Sequence, residues 1–432
     1  MIGISKTAAA PRDVLTVSDA ELDALARLTD TPATLPLLQR ARTSRNMAFL
    51  AALLRNGSPD STRDSRNHRA TPLSALLRGR SDTSARMVPP GYEVLVRVQR
   101  RRPDVVRDIL HHHRFGAWVA VCAAETATES PDGDPNALSA HLASFAAVAA
   151  LRTGIEFDLE LPQIGDTVVL PGLGCWTGPV AERISVRYHG AEPPQPTGYH
   201  WTPLRRLTAA SPIGTAEVEF DDLPPTPSAW PEAPDGRLPH DDTEFHRWQQ
   251  LFAAAVPLLA DAVPELAAPL VQGMRALLPR GREPGGFLTS TLVDSFGAAA
   301  MIRPDDPVTL ATGLLHEFQH SKLAVLMELL PLITENGPAD MPSPWRREPR
   351  TAGAVLHGAY AHLAVARFLR RVADTPDGVS IPDAAAVEQD VRIGCETLLD
   401  SDRLTPSGRR FVTVMRHAAA AEDTGTTAGS TV

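Results

Sequence analysis

One stretch constrains this chain more than any other. PVTLATGLLHEFQHSKLAVLMELLPL runs from Pro307 to Leu332, with apolar residues at helical spacing and a proline at its front. Proline suits the first position of a helix, so the run predicts a helix of about 20 residues. Its polar residues sit among Leu314, Leu315, Phe318 and Leu323. A helix apolar on most sides is stable only when other elements cover it, so the rest of the fold has to be built around this one.

Within the run lies His316-Glu317-Phe318-Gln319-His320. Residues four apart on a helix stack on one face, so both imidazoles can turn toward a single ion, each about 2.1 Å away. Glu317 stands one position on, beside the ion, where it can hold a metal-bound water or take its proton. Gly313, one turn before His316, leaves room for a ligand on that face. The plainer alternative is two half-buried histidines on an amphipathic helix, with Glu317 in a surface ion pair.

A third ligand has to come from elsewhere. The HExxHxxGxxH extension is absent, because Leu323 and Leu326 stand in its Gly and His places. Glu328 is on the same helix but roughly 12 Å further along its axis. His357 and His362, in the next predicted helix TAGAVLHGAYAHLAVARFLRR, are candidates. So is Glu396 of CETLLD, which would suit a peptidase that takes a carboxylate from a later helix. Between the helices, ITENGPADMPSPWRREPR reads as a loop that gathers Arg346, Arg347 and Arg350 beside Trp345. Arginine's planar fork grips carboxylates, so this loop is placed to hold an acidic co-substrate; a solvated basic loop is the plainer reading.

Charge and cysteines narrow the remaining possibilities. A net charge of −9 argues against a general nucleic-acid binder. The segment 55–114 runs the other way, with Arg78, Arg80, Arg86, Arg97, Arg100, Arg101 and Arg102. It reads as a solvated helical surface or as a docking face for an acidic peptide. Cys122, Cys175 and Cys395 are three in number and far apart, which excludes a disulfide framework or a CxxC knuckle and suits a reducing cytoplasm. With no apolar leader and no run of about 18 apolar residues, no membrane association is expected.

Along the chain, the pattern predicts an α+β, predominantly helical fold. Residues 1–152 form a helical N-terminal region, opened by the capping box Ser18-Asp19-Ala20-Glu21 and closed at Gly154. Residues 153–224 form a small β-rich region, in which IEFDLELP, GDTVVLPGLG, ERISVRYHG and TAEVEFDDL carry the strand signal. Residues 225–420 form the helical catalytic region, beginning after the proline-rich PPTPSAWPEAPDGRLP, with two helices broken near Pro264 and then a loop, GREPGGFLTSTLVDSFGAAAMIRPDD. Residues 421–432 read as a disordered tail.

LATGLLHEFQHSKLAVLMELLPL, SPWRREPR and VLHGAYAHLAVARF together resemble the HEXXH-motif domain family found beside or fused to peptide-modifying enzymes, also described as α-ketoglutarate-dependent HExxH-type peptide β-hydroxylases. LPQIGDTVVLPGLG, VEFDDLPP, RWQQLFAAAVPLL and STLVDSFGAA extend the resemblance to nearly the whole chain, from near Leu35 to about residue 420. The resemblance implies Fe(II) as the metal, with 2-oxoglutarate and O2 as co-substrates. It implies hydroxylation of a β-carbon in a ribosomally synthesised precursor peptide, with other peptide-modifying enzymes as candidate partners. It carries His316, His320 and His357 as metal ligands, and Arg347 or Arg350 as the residue holding 2-oxoglutarate. Pro224-Pro225 stands where the family often has Asp-Pro, and the N-terminal segment is unusually rich in arginine. Two other expectations compete: a zinc metallopeptidase with Glu317 as general base, and a non-catalytic peptide-binding scaffold.

Overall fold

The computed structural model describes residues 15–56, 89–128, 140–224, 241–281, 289–334, 337–373 and 382–424. The fold is α+β and predominantly helical, as expected. Among the described residues, six helices precede the first strand: α1 (Asp19–Ala26), α2 (Thr34–Asn56), α3 (Tyr92–Arg101), α4 (Pro103–His111), α5 (His113–Thr128) and α6 (Leu142–Thr153). Ser18 and Glu21 cap α1 reciprocally, satisfying two backbone donors that a helix start leaves orphaned. Gly154 ends α6 at φ 65°, a conformation that costs glycine nothing. Of the arginine-rich segment, Arg97, Arg100, Arg101 and Arg102 are exposed on and just after α3, while Arg78, Arg80 and Arg86 lie outside the described residues.

Strands β1 (Phe157–Pro162) and β4 (Arg183–Tyr188) pair antiparallel, Phe157 opposite Tyr188. Their residues alternate between core and solvent, most cleanly in β4. Strands β2 (Thr167–Leu170), β3 (Gly174–Thr177) and β5 (His200–Pro203) form a second small sheet. The largest sheet joins strands from both sides of residue 224, in the order β6-β7-β8-β10-β9. Here β6 is Arg205–Ser211, β7 Gly214–Phe220, β8 Ala276–Arg280, β9 Thr289–Thr291 and β10 Ala298–Ile302. β8 runs parallel to both β7 and β10. A parallel crossover needs a long connection, and α7 (Asp242–Ala262) with α8 (Pro264–Gly273) supplies the one from β7 to β8.

Two stretches expected as loops are strands. Ala298–Ile302 lacks alternation because its first four residues are all buried, as happens where a strand is covered on both faces. Residues 341–350 form a hairpin of β11 (Met341–Ser343) and β12 (Arg346–Arg350), hidden from pattern reading by its shortness and its prolines. Four helices complete the chain: α9 (Pro307–Leu329), α10 (Ala352–Val372), α11 (Ala384–Leu399) and α12 (Pro406–Thr424). α12 reaches Thr424, inside the stretch expected as a tail; residues 425–432 lie outside the described residues.

α9 is deeply covered. Leu310, Leu314, Leu315, Phe318, Leu323 and Val325 are fully buried against α7, α10 and the large sheet. They belong to the larger apolar core, which also takes in α1, the start of α2 and the C-terminal helices. A second core unites the end of α2 with α3 to α6 and β1, β2 and β4. The single helix α2 therefore runs through both, with Leu35 and Leu38 in one and Leu50 and Leu53 in the other. Among the described residues, no helix is long and apolar enough to cross a membrane. Cys122, Cys175 and Cys395 are all buried free thiols.

Candidate metal centre

α9 starts at Asp306, whose carboxylate accepts from the Thr309 amide (2.8 Å), with Pro307 at the first turn. α10 starts at Thr351, whose hydroxyl accepts from the Ala354 amide. These caps fix where each helix begins, and so which residues face the seam between them. Along that seam four histidines gather: His316 and His320 from α9, His357 and His362 from α10. Each is half-buried.

The rings follow one another in a chain. His316 Nε2 and His320 Nε2 are 2.9 Å apart. His320 turns its other nitrogen, Nδ1, to His357 Nδ1 at 3.1 Å. His362 meets His316 edge to face at 4.8 Å between centroids, and Trp345 stacks on His362 at 4.7 Å. The His362 Nδ1–H donates to the Gly358 carbonyl (2.8 Å). A carbonyl only accepts, so His362 carries its proton on Nδ1 and leaves the Nε2 lone pair available, the arrangement typical of metal-ligating histidines.

Electrostatics keep these rings in their metal-binding form. Burial, with His362 and Arg346 adding to it, lowers His316 to about 3. Burial also lowers His357 and His362 to about 4 and holds His320 well below its ordinary value. All four are therefore neutral imidazoles at pH 7, and coordination by His316 and His320 would move only the proton shared between their Nε2 atoms. Two nitrogens bound at right angles to one ion, each about 2.1 Å from it, lie about 3.0 Å apart. The His316–His320 separation of 2.9 Å fits that spacing.

The expected residues are not all equally close. His316 and His320 come together. His357 reaches only the far side of His320, and neither His357 nor His362 brings a nitrogen within 4.8 Å of both others. Among the described residues, the one group of three meeting that spacing is His112, His113 and Glu219, on other elements. Glu317 is 2% exposed, deeper than either histidine beside it. Glu328 is 3.3 Å from both Arg42 and Arg45, which binds it into an ion-pair network and away from the histidines. Glu396 is exposed near the end of α11.

Arg347 and Arg350 are exposed on β12. The arginine nearest the cluster is Arg346, half-buried, whose charge depresses both His316 and His362. Alternate residues of a strand share a face, so Arg346 and Arg350 lie on one side and Arg347 on the other. Arg350 also acts on Arg346 electrostatically. Sequence pattern gathered all three arginines beside Trp345, but choosing among them needed the strand's parity.

No family model matches the chain, and no curated protein matches it.

Proposed function

We propose that this chain is an Fe(II)- and 2-oxoglutarate-dependent oxygenase that hydroxylates a β-carbon of a residue in a ribosomally synthesised precursor peptide. The observation that carries the proposal is the His316–His320 pair: two neutral imidazoles 2.9 Å apart on one helix face, with Arg346 alongside. The donor set fits the metal. Neutral imidazole suits iron, and a pair on one helix leaves the other coordination positions for a third ligand and co-substrates.

In this reading His316 and His320 hold the ion. His362 is the better third ligand on tautomer, since Gly358 already fixes its proton; His357 is the alternative and would need its ring to turn. Arg346, supported by Arg350, holds the 2-oxoglutarate carboxylate, where the resemblance implied Arg347 or Arg350. When bound, iron and 2-oxoglutarate supply the oxidation: one atom of O2 enters the peptide C–H bond, and the other ends in succinate as CO2 leaves. Trp345 and the surrounding apolar helices keep bulk water from the α9–α10 seam, which strengthens every charge interaction there.

The second reading, a zinc metallopeptidase, draws on Glu317, which follows His316 directly and would act as general base. Anaerobic loading with Fe(II), then 2-oxoglutarate, O2 and the precursor peptide, separates the two. The oxygenase yields succinate and a peptide heavier by one oxygen atom. A cleaved peptide, formed without O2 or 2-oxoglutarate and abolished by Glu317→Gln, would establish the peptidase.

A further inference from the structure

A second histidine cluster lies at the junction of α4 and α5. α4 ends at His111, His112 adopts an extended backbone (φ −62°, ψ 133°), and α5 begins at His113. The break turns both rings to the same side, stacked at 4.4 Å. They face the end of β7, where Glu219 and Asp221, two apart in sequence, project from one side of the chain. Asp221 continues the parallel register, its amide donating to the Leu277 carbonyl. Ser295 Oγ ties the His113 carbonyl to the segment before β10 (3.0 Å).

Three atoms in this group are buried without a hydrogen-bond partner: His112 Nε2, His113 Nδ1 and Glu219 Oε2. Glu219 Oε2 lies 3.2 Å from His112 Nε2 and 3.8 Å from His113 Nδ1. Ligands around a tetrahedral ion, each about 2.1 Å from it, are about 3.4 Å apart. The two distances bracket that value.

The surroundings complete the site. His113 donates from Nε2 to the Asp221 carboxylate (2.7 Å), which leaves the lone pair on Nδ1, the atom facing the cluster. A carboxylate behind a histidine is the usual outer partner of a metal ligand. Arg114 neutralises Asp221, and Arg206 approaches only the outer oxygen of Glu219 (3.6 Å). Gly172, at φ +76°, lies over the group: a Cβ there would stand 3.1 Å from both His112 Nε2 and Glu219 Oε1. The missing side chain leaves space above the ligand atoms, reached also by the guanidinium of Arg152.

We propose that His112 Nε2, His113 Nδ1 and Glu219 Oε2 form a second metal site, taking one divalent ion of the zinc class that pins the α4–α5 junction to β7. Two imidazoles and one carboxylate are a hard-to-borderline donor set with a fourth position for water, which suits zinc. Binding has a cost. The Arg114 amide donates to His112 Nδ1 (3.2 Å), and a metal on Nε2 would move the ring's proton to Nδ1 and break that bond. The loss of one such bond is small beside the binding strength of a structural zinc site. Arg152 is exposed, so its guanidinium is free of the packing that holds the three ligand side chains.

The test uses the full chain carrying His316→Gln and His320→Gln, so that the α9 histidines cannot contribute. Loaded with zinc alone and desalted, this variant should retain one ion per chain. With cobalt it should give the intense visible band of a four-coordinate N/O site. Asp221→Asn in that background should weaken zinc by about 10- to 100-fold, and Glu219→Gln should remove it. If the double variant retains no zinc, or gives only a pale six-coordinate cobalt spectrum, the group is a hydrogen-bonded network and the proposal fails. Zinc retention unchanged by Glu219→Gln also overturns it. Equal metal content in the wild-type and double-variant proteins would instead count against the α9 site alone.

Discussion

The two histidine clusters are built by opposite means. In the α9–α10 seam, spacing along one helix brings His316 and His320 together, and the rings stay half-open with no carboxylate among them. At the α4–α5 junction, adjacent histidines meet carboxylates from a distant strand, and the group is almost fully buried. The first is neutral and accessible, as a site that exchanges substrates requires. The second is charged, anchored and closed, as a structural clamp requires.

The sharpest way to break this contrast is His316→Gln. It should take peptide oxidation to background, a larger loss than the roughly 10- to 100-fold typical of an outer-shell partner, while leaving the chain folded. If oxidation survives and is lost instead on Glu219→Gln, the roles of the two clusters are reversed.

Next in size is Lys322→Ala. Lys322 and Asp30 form an ion pair with both side chains buried, 2% and 4% exposed. Removing one charge strands the other, at about 3–5 kcal/mol, read as a lower urea midpoint. Replacing both with apolar residues should recover much of that loss. A midpoint shift below about 1 kcal/mol would show that the HExxH helix is not held there.

Arg346→Ala should raise the KM for 2-oxoglutarate about tenfold to a hundredfold, the worth of a charge-assisted bond. Arg347→Ala should change it by less than about twofold. The reverse order would mean that β12 presents its other face to the co-substrate.

The smallest steady effect is on acid stability. His357 and His362 stay neutral in the folded protein to about pH 4, whereas unfolded histidine takes up a proton near 6.5. The unfolded chain thus binds more protons between those values, so folding of the metal-free protein weakens as pH falls from 6.5 toward 4. Glu219 and Asp221 have the same sign lower down. Burial pushes both up, but His112 and His113 for the one and Arg114 and His113 for the other more than offset it, leaving Glu219 at about 2. Their contribution, full above the usual carboxylate range, is lost only in stronger acid. His357→Gln with His362→Gln should make the denaturation curve shallower between pH 6.5 and 4, the other buried histidines keeping part of the slope, and leave the acid limb in place; an unchanged curve would refute the assignment.

How much of this was legible in the sequence depends on range. α9 was, because both its apolar covering and its histidine spacing repeat within one turn. β4 was, because its alternation is a property of neighbours. β10 was not: buried on both faces, it has no alternation to read. Arg346 could not be chosen over Arg347 without the register that sets Ser343 opposite Arg346. The second cluster was not read from the sequence, since 108 positions separate His113 from Asp221 and no local pattern links them.

The indole of Trp345 has a wider consequence. It lies against Gly358 of α10 and Gly394 of α11, where a Cβ would come within 2.7 Å and 2.8 Å of its ring atoms, and it stacks on His362. One flat side chain thus rivets a short basic ribbon to two helices at once. The ribbon cannot lift to admit a bulky guest unless the rivet slides out between them.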